Sequence, residues 1–186
     1  DAQGTLAEPF TKGIFCNVTL LGPINPNNTT YNQQFKRAAH LRRNTKLKVF
    51  NSVLVGFPVG LLIDETLAET NAQNGELIFK DNVLSGCVTN LAVASGSTFD
   101  ISTWFNTQGQ NNQILSLSGL MLNSNTWNLN NPFLLPQANS PILTGANFNH
   151  SSLQNTFFEV VNFKGAFGNY DWTSGWANFD PQNTNY

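Results

Sequence analysis

The chain has 186 residues, 40% of them hydrophobic and 12% aromatic, enough for one domain around one continuous core. Only 11% are charged, and polarity comes instead from 28 Asn; Asn is a poor helix former that favours turns, so with 14 Gly and 8 Pro it excludes a helical bundle. A net charge of −2 argues against general nucleic-acid binding, which needs a basic surface to release phosphate counterions.

Charge is distributed unevenly. Residues 1–63 carry seven bases against two acids, whereas residues 64–186 carry nine acids against two bases, and no Asp, Glu, Lys or Arg occurs from Ile101 to Phe158. No run reaches the roughly 18 to 20 apolar residues of a membrane-spanning helix; the longest candidate, Val53 to Ile63, is interrupted by Pro58. The sequence begins at Asp1 without Met or a signal pattern and reads as a processed or partial product. Cys16 and Cys87 are too few for a disulfide scaffold, and a bridge or two free thiols are both open.

In chain order, a short phrase recurs. Cys16 to Gly22 reads CNVTLLG, Phe50 to Gly56 reads FNSVLVG, and Lys80 to Gly86 reads KDNVLSG, with closing glycines 34 and 30 residues apart. A weaker copy closes at Gly119, 33 residues on, and Val160 to Gly165 reads as a further strand of the same kind. Alternating apolar residues with a closing glycine at this period point to strands stacked in coils rather than helical repeats. Like residues then stack about 4.8 Å apart, and Asn side chains can form ladders at the turns. An all-β sandwich is the competing architecture. Leu20, Leu54 and Leu84 are expected in register inside the core. Leu61 to Asn74 is the best helix candidate, Pro26-Asn27 and Asn74-Gly75 read as turns, and Asn123 to Asn131 reads as an exposed loop.

The stretches FTKGIFCNVTLLGP, RAAHLRRNTKLKVFNSVLVGFPVGLLID and GAFGNYDWTSGWANFDPQNTNY resemble the C-terminal portion of a family of large secreted or surface proteins of Bacteroidota. These are generally predicted to be right-handed parallel β-helices of the pectin-lyase type. The resemblance covers about the first 90 and the last 25 residues. With the repeats it leads to the expectation of an all-β, right-handed solenoid whose coils occupy 1–165. The tail aromatics add an aromatic C-terminal cap at 166–186, and an open first coil calls for further coils or another chain as partner. The resemblance itself implies preceding coils and export to the cell surface or beyond. It implies no reaction.

Two groups of residues are candidates for a site. Lys36, Arg37, His40, Arg42, Arg43, Lys46 and Lys48 contain six of the nine Lys and Arg residues. Polysaccharide lyases on β-helices use an Arg or Lys base together with calcium held by carboxylates, but no acid lies between Glu8 and Asp64 and no motif supports a calcium site. A solvated or ion-paired face is the plainer reading, binding of an anionic glycan the sharper one. Trp172 and Trp176, with Phe179 and Tyr186, suit either a cover for the end of the last coil or a platform for sugars. Asp64 and Glu65 are expected to start a helix rather than to form a catalytic pair. No Cys/His metal spacing, P-loop or dinucleotide fingerprint is present. The function expected is a non-enzymatic, exported β-helix module for surface structure, adhesion or glycan contact. A polysaccharide lyase or glycoside hydrolase with part of its site on missing coils, or a subunit of a larger surface assembly, are the alternatives.

Overall fold

A computed structural model of the chain describes residues 6–107 and 111–185. They form a right-handed parallel β-helix. The first coil carries β1 (Ile14–Cys16), β2 (Thr19–Leu21) and β3 (Arg37–Arg42). The second carries β4 (Lys48–Phe50), β5 (Val53–Val55) and β6 (Val59–Asp64), the third β7 (Ile78–Lys80), β8 (Val83–Ser85) and β9 (Thr89–Val93), and a fourth begins with β10 (Gln113–Leu115). Three parallel sheets result, in the orders β1-β4-β7, β10-β8-β5-β2 and β3-β6-β9.

Side chains alternate across each strand, so every second residue enters the coil. Leu20, Leu54 and Leu84 stack in register as expected, and Ile114 continues the column. Phe15, Val49 and Phe79 make a second column, and Leu41, Ile63 and Val93 a third. The inner residues of the second and third coils, Leu54, Leu61, Ile63, Phe79 and Leu84, form one buried cluster.

At the corner between the first two strands, two successive positions recur: the first in all four coils, the second in the last three. The first takes positive φ: Asn17 at 55°, Asn51 at 48°, Asp81 at 60° and Asn111 at 49°. Asn and Asp tolerate this conformation better than other side chains, which explains why the repeated phrases share an Asx there. The second, at Ser52, Asn82 and Asn112, bonds backbone groups of neighbouring coils. The closing glycines have their own cause. Gly56 has φ +71°, and a Cβ built on it would lie 2.1 Å from the Ile24 carbonyl oxygen, so the neighbouring coil leaves no room for a side chain.

The solenoid's end is closed by α2 (Ile101–Thr107), which drops Ile101, Trp104 and Phe105 onto the core beside Leu77, Phe79 and Leu84, with the Trp104 indole N–H donating to the Ala72 carbonyl at 3.0 Å. The chain then turns back. Beyond the short α3 (Leu117–Leu120), Leu120 and Ile142 cover the outward Val53, Val55 and Val83. Farther on, Phe148 and Leu153 cover the outward Phe50 and Ile78. The start of the segment expected to cover the last coil lies beside the first: the Ala166 N–H donates to Thr19 Oγ1 at 2.8 Å, and Asn17 Nδ2 donates to the carbonyls of Phe163 (2.7 Å) and Gly165 (3.1 Å).

Three local expectations need correction. Leu61 to Asp64 is strand, not helix, because Leu61 and Ile63 stack on Ala39 and Leu41; the helix, α1, is confined to Thr66–Gln73. Val160 to Gly165 contains no strand and covers the outside of the solenoid. The fourth copy pairs Leu115 with Ser85, which puts Ser116 opposite Gly86 and moves Gly119 three residues out of register, into α3. Cys16 and Cys87 are free thiols, and burial pushes both above the usual thiol range.

Candidate functional site

The basic row follows β3 and the turn after it. From Lys36 to Arg43 an extended chain covers roughly 20 Å, so its members are strung out rather than gathered round one point. The second coil supplies acids that the linear order concealed. His40 Nε2 lies 2.7 Å from Asp64 Oδ2 and Arg42 lies 3.5 Å from Glu65 Oε1, each one coil away. Lys46 Nζ meets Glu76 Oε1 at 2.7 Å and also sits over the Phe10 ring, 4.9 Å from its centre. Asp64 and Glu65 therefore work as partners for the basic strand, and Glu65 makes no side-chain cap on α1. Among the described residues no acid pairs with Lys36 or Arg37, which occupy the upstream end of the row next to Phe35. Among the described residues no group of three or more His, Cys, Asp and Glu could hold a metal ion.

The tail aromatics form a stack. Phe167 is buried, Trp172 lies parallel to it at 5.6 Å between ring centres, and Trp176 leans on Trp172 at 5.8 Å. The indole N–H of Trp172 donates to the Ala166 carbonyl at 2.9 Å and that of Trp176 to the Trp172 carbonyl, so both rings are held by their polar tips. Trp172 nevertheless stays 46% exposed and Trp176 69% exposed.

Trp172 also lines a groove of about 740 Å³ that the linear sequence did not disclose. One wall is the 22–35 loop, with Asn25, Asn28, Thr30, Tyr31, Asn32 and Phe35; the other comes from the returning chain, with Trp127, Leu129, Phe167, Trp172 and Phe179. Trp127 fixes the two walls together by donating its indole N–H to the Gly22 carbonyl at 3.3 Å. The signal in the sequence was the cluster of Asn and aromatic residues between Pro23 and Phe35, which reads locally as nothing more than a turn-rich loop.

A smaller pocket of about 540 Å³ adjoins the tail and carries two carboxylates, Asp171 and Asp180. Both are committed to local turns. Asp171 Oδ1 accepts from the Thr173 N–H and hydroxyl, and Asp180 accepts from Asn183 Nδ2 at 2.8 and 3.0 Å.

Beneath the returning chain two charged residues are almost sealed, Lys164 at 3% exposure and Asp81 at 1%. Burial is the main cause that lowers the Lys164 ammonium and raises the Asp81 carboxyl from their ordinary values, and each opposes the shift of the other by Coulomb attraction. Asn111 Nδ2 donates to Asp81 Oδ1 at 2.8 Å. His150 serves structure here: its Nδ1 accepts from the Ser152 N–H at 3.1 Å, and its ring lies 4.9 Å from that of Phe50.

Among known protein families, that of pentapeptide repeats (8 copies) matches residues 142–167. The match exposes a five-residue rhythm: Leu143, Phe148, Leu153, Phe158 and Phe163, with small or branched residues at Ala146, Ser151, Thr156 and Val161 two places earlier. Phe148 and Leu153 of this rhythm are the residues packed against Phe50 and Ile78. The segment thus resembles a repeat-built β-helix, in keeping with the parallel sheets beside it. No curated protein and no solved structure matches the chain.

Proposed function

We propose that the chain is a non-catalytic contact module of an exported surface protein of the kind its sequence resembles, joined to a further coil through the open face of its first coil. The observation that carries this reading is the contrast within one column: Phe79 is fully buried in the third coil, while Phe15, its counterpart in the first, is 49% exposed. β1, β2 and β3 are all terminal strands of their sheets and lie on the same coil. Three parallel edges on one coil, with the half-exposed Phe15 among them, fit one more parallel coil, whether from additional chain or from another protein.

Such an edge associates in isolation. Sedimentation of the 186-residue chain should reveal concentration-dependent association that Phe15→Lys suppresses while leaving the melting temperature nearly unchanged. A wild-type chain that stays monodisperse at high concentration, and sediments like Phe15→Lys, would remove the basis of the reading. The enzyme alternative has its own check: Asp171→Asn and Asp180→Asn should leave unchanged any glycan cleavage the preparation shows.

A further inference from the structure

We propose that the groove between the 22–35 loop and the C-terminal tail binds an uncharged polysaccharide. This goes beyond the assembly reading and stands or falls independently of it, since the groove lies on the side of the solenoid and Phe15 takes no part in it.

The volume, about 740 Å³, falls within the roughly 300–1,000 Å³ of typical ligand clefts. Phe35, Leu129, Trp172 and Phe179 all keep large apolar surfaces in contact with water, and all four line this one groove. Gathered exposed apolar surface of this kind marks a place of contact more often than scattered residues do. Polar groups are interleaved with it. Asn28 Oδ1 accepts from the Thr30 N–H and Asn32 Oδ1 from the Gln34 N–H, each at 2.9 Å, which fixes both side chains. Their Nδ2 groups, and the hydroxyl of Tyr31, have no protein partner among the described residues.

Charge selects the ligand. Among the described residues no Asp, Glu, Lys, Arg or His lines the groove, so an acidic sugar or a charged peptide would lose water without gaining a counter-ion. A pyranose has an apolar C–H face and an equatorial rim of hydroxyls that both donate and accept. Rings of Trp and Phe meet the first, and amides and a phenol meet the second. An uncharged hexose or pentose polymer satisfies both sets at once, whereas a lipid chain would leave the Asn and Tyr groups unpaired.

The test is affinity electrophoresis of the intact chain through gels containing neutral glucans, mannans or xylans, with polygalacturonate as the acidic comparison. At least one neutral polymer should retard the protein, equally at about 0.1 M and 1 M salt, because no ion pair is involved. Tyr31→Ala and Phe179→Ala should each weaken retention about tenfold with little change in melting. Asn32→Ala provides a third variant on the exposed loop, where folding is least at risk. No retention by any neutral polymer, or retention that all three variants keep, would overturn the proposal. So would retention of polygalacturonate alone that vanishes in salt, which would assign binding to the basic strand, or capture of extended peptides in place of glycans.

Discussion

Asn82 and Asn112 make the same two kinds of hydrogen bond one coil apart. Each Oδ1 accepts the N–H of the corner residue in the preceding coil, Ser52 at 2.8 Å and Asn82 at 2.9 Å, and each Nδ2 donates to a carbonyl of stacked strand residues, Val49 at 3.0 Å and Phe79 at 2.7 Å. Ser52 performs the shorter version, accepting from the Val18 N–H at 3.1 Å and donating to the Phe50 carbonyl at 2.7 Å. Backbone groups that turn away from the sheets at each corner are satisfied by this file of side chains.

Asn82→Ala should therefore cost far more than an average polar substitution. It strands the Ser52 N–H in a fully buried corner, at about 1–3 kcal/mol for the unsatisfied group, and removes the amide bond to the Val49 carbonyl as well. Urea unfolding would show the loss as a lowered midpoint at constant slope.

Gly56→Ala and Gly96→Ala separate two effects of glycine. Both sites have positive φ, 71° and 81°, so both substitutions carry the left-handed penalty of about 1–2 kcal/mol. Only at Gly56 does the new Cβ collide with backbone, while at Gly96 nothing lies within 4 Å. Gly56→Ala should fail to fold or melt far lower, and Gly96→Ala should lose only the penalty.

Acid should loosen the returning chain through His150. Burial, then the nearby Lys48 and Lys80 charges, hold the imidazole below its ordinary value of 6.5. The unfolded chain takes up its proton first as pH falls, so the stabilisation is complete above about 6.5 and is lost on descending through the lowered folded value. Protonation also removes the Nδ1 acceptor of the Ser152 N–H. His150→Gln should flatten the melting temperature between pH 7 and 5; a slope that persists unchanged would exclude His150 as its source.

In the tail, stability and exposure should part company. Phe167→Ala removes a buried ring and should cost about 3–5 kcal/mol. Trp176, mostly in water and held by a single hydrogen bond, should cost well under half of that on change to Ala, by calorimetry of the two variants.

If β3 retains anionic polysaccharide at all, Lys36→Ala with Arg37→Ala should abolish it more completely than Arg42→Ala, whose guanidinium already faces Glu65. Retention on an acidic matrix should fall steeply between about 0.1 M and 1 M salt, as the Debye length shrinks from about 10 to 3 Å.

The coils were legible because their determinants are local and repeated. Asx, then one variable residue, a strand triplet with a central Leu and a closing glycine recur at 30 to 34, and the parallel register puts Leu20, Leu54 and Leu84 together. The stretch from Leu117 to Val161 was not legible, because it packs on outward residues such as Val53, Phe50 and Ile78 through contacts with no fixed spacing. The one regular signal there, the five-residue spacing from Leu143 to Phe163, is too short a period to emerge from a search for strand phrases. The site suffered in the same way. Trp172 was visible as an aromatic, but its groove needs Tyr31 and Trp127, residues brought together only when the chain returns to its first coil. Pairing of Arg42 with Glu65 and Lys46 with Glu76 was likewise hidden, since one turn of the solenoid separates the partners.

The bonds from Asn17 to the carbonyls of Phe163 and Gly165 span nearly the whole chain. A solenoid can add coils one after another as the polypeptide emerges, each new strand finding its neighbour about thirty residues back. Here the corner at Asn17 is covered from far along the sequence: Asn17 waits uncapped until residues 163–166 arrive. Synthesis or export that proceeds from the N-terminus thus produces an intermediate with finished coils and naked sides, whose outward Phe50, Val53 and Ile78 face water until the final third is delivered. Delivery of residues 142–166 is thus a condition for burying the flanks of coils laid down much earlier, Asn17 being 146 and 148 residues from its two partners.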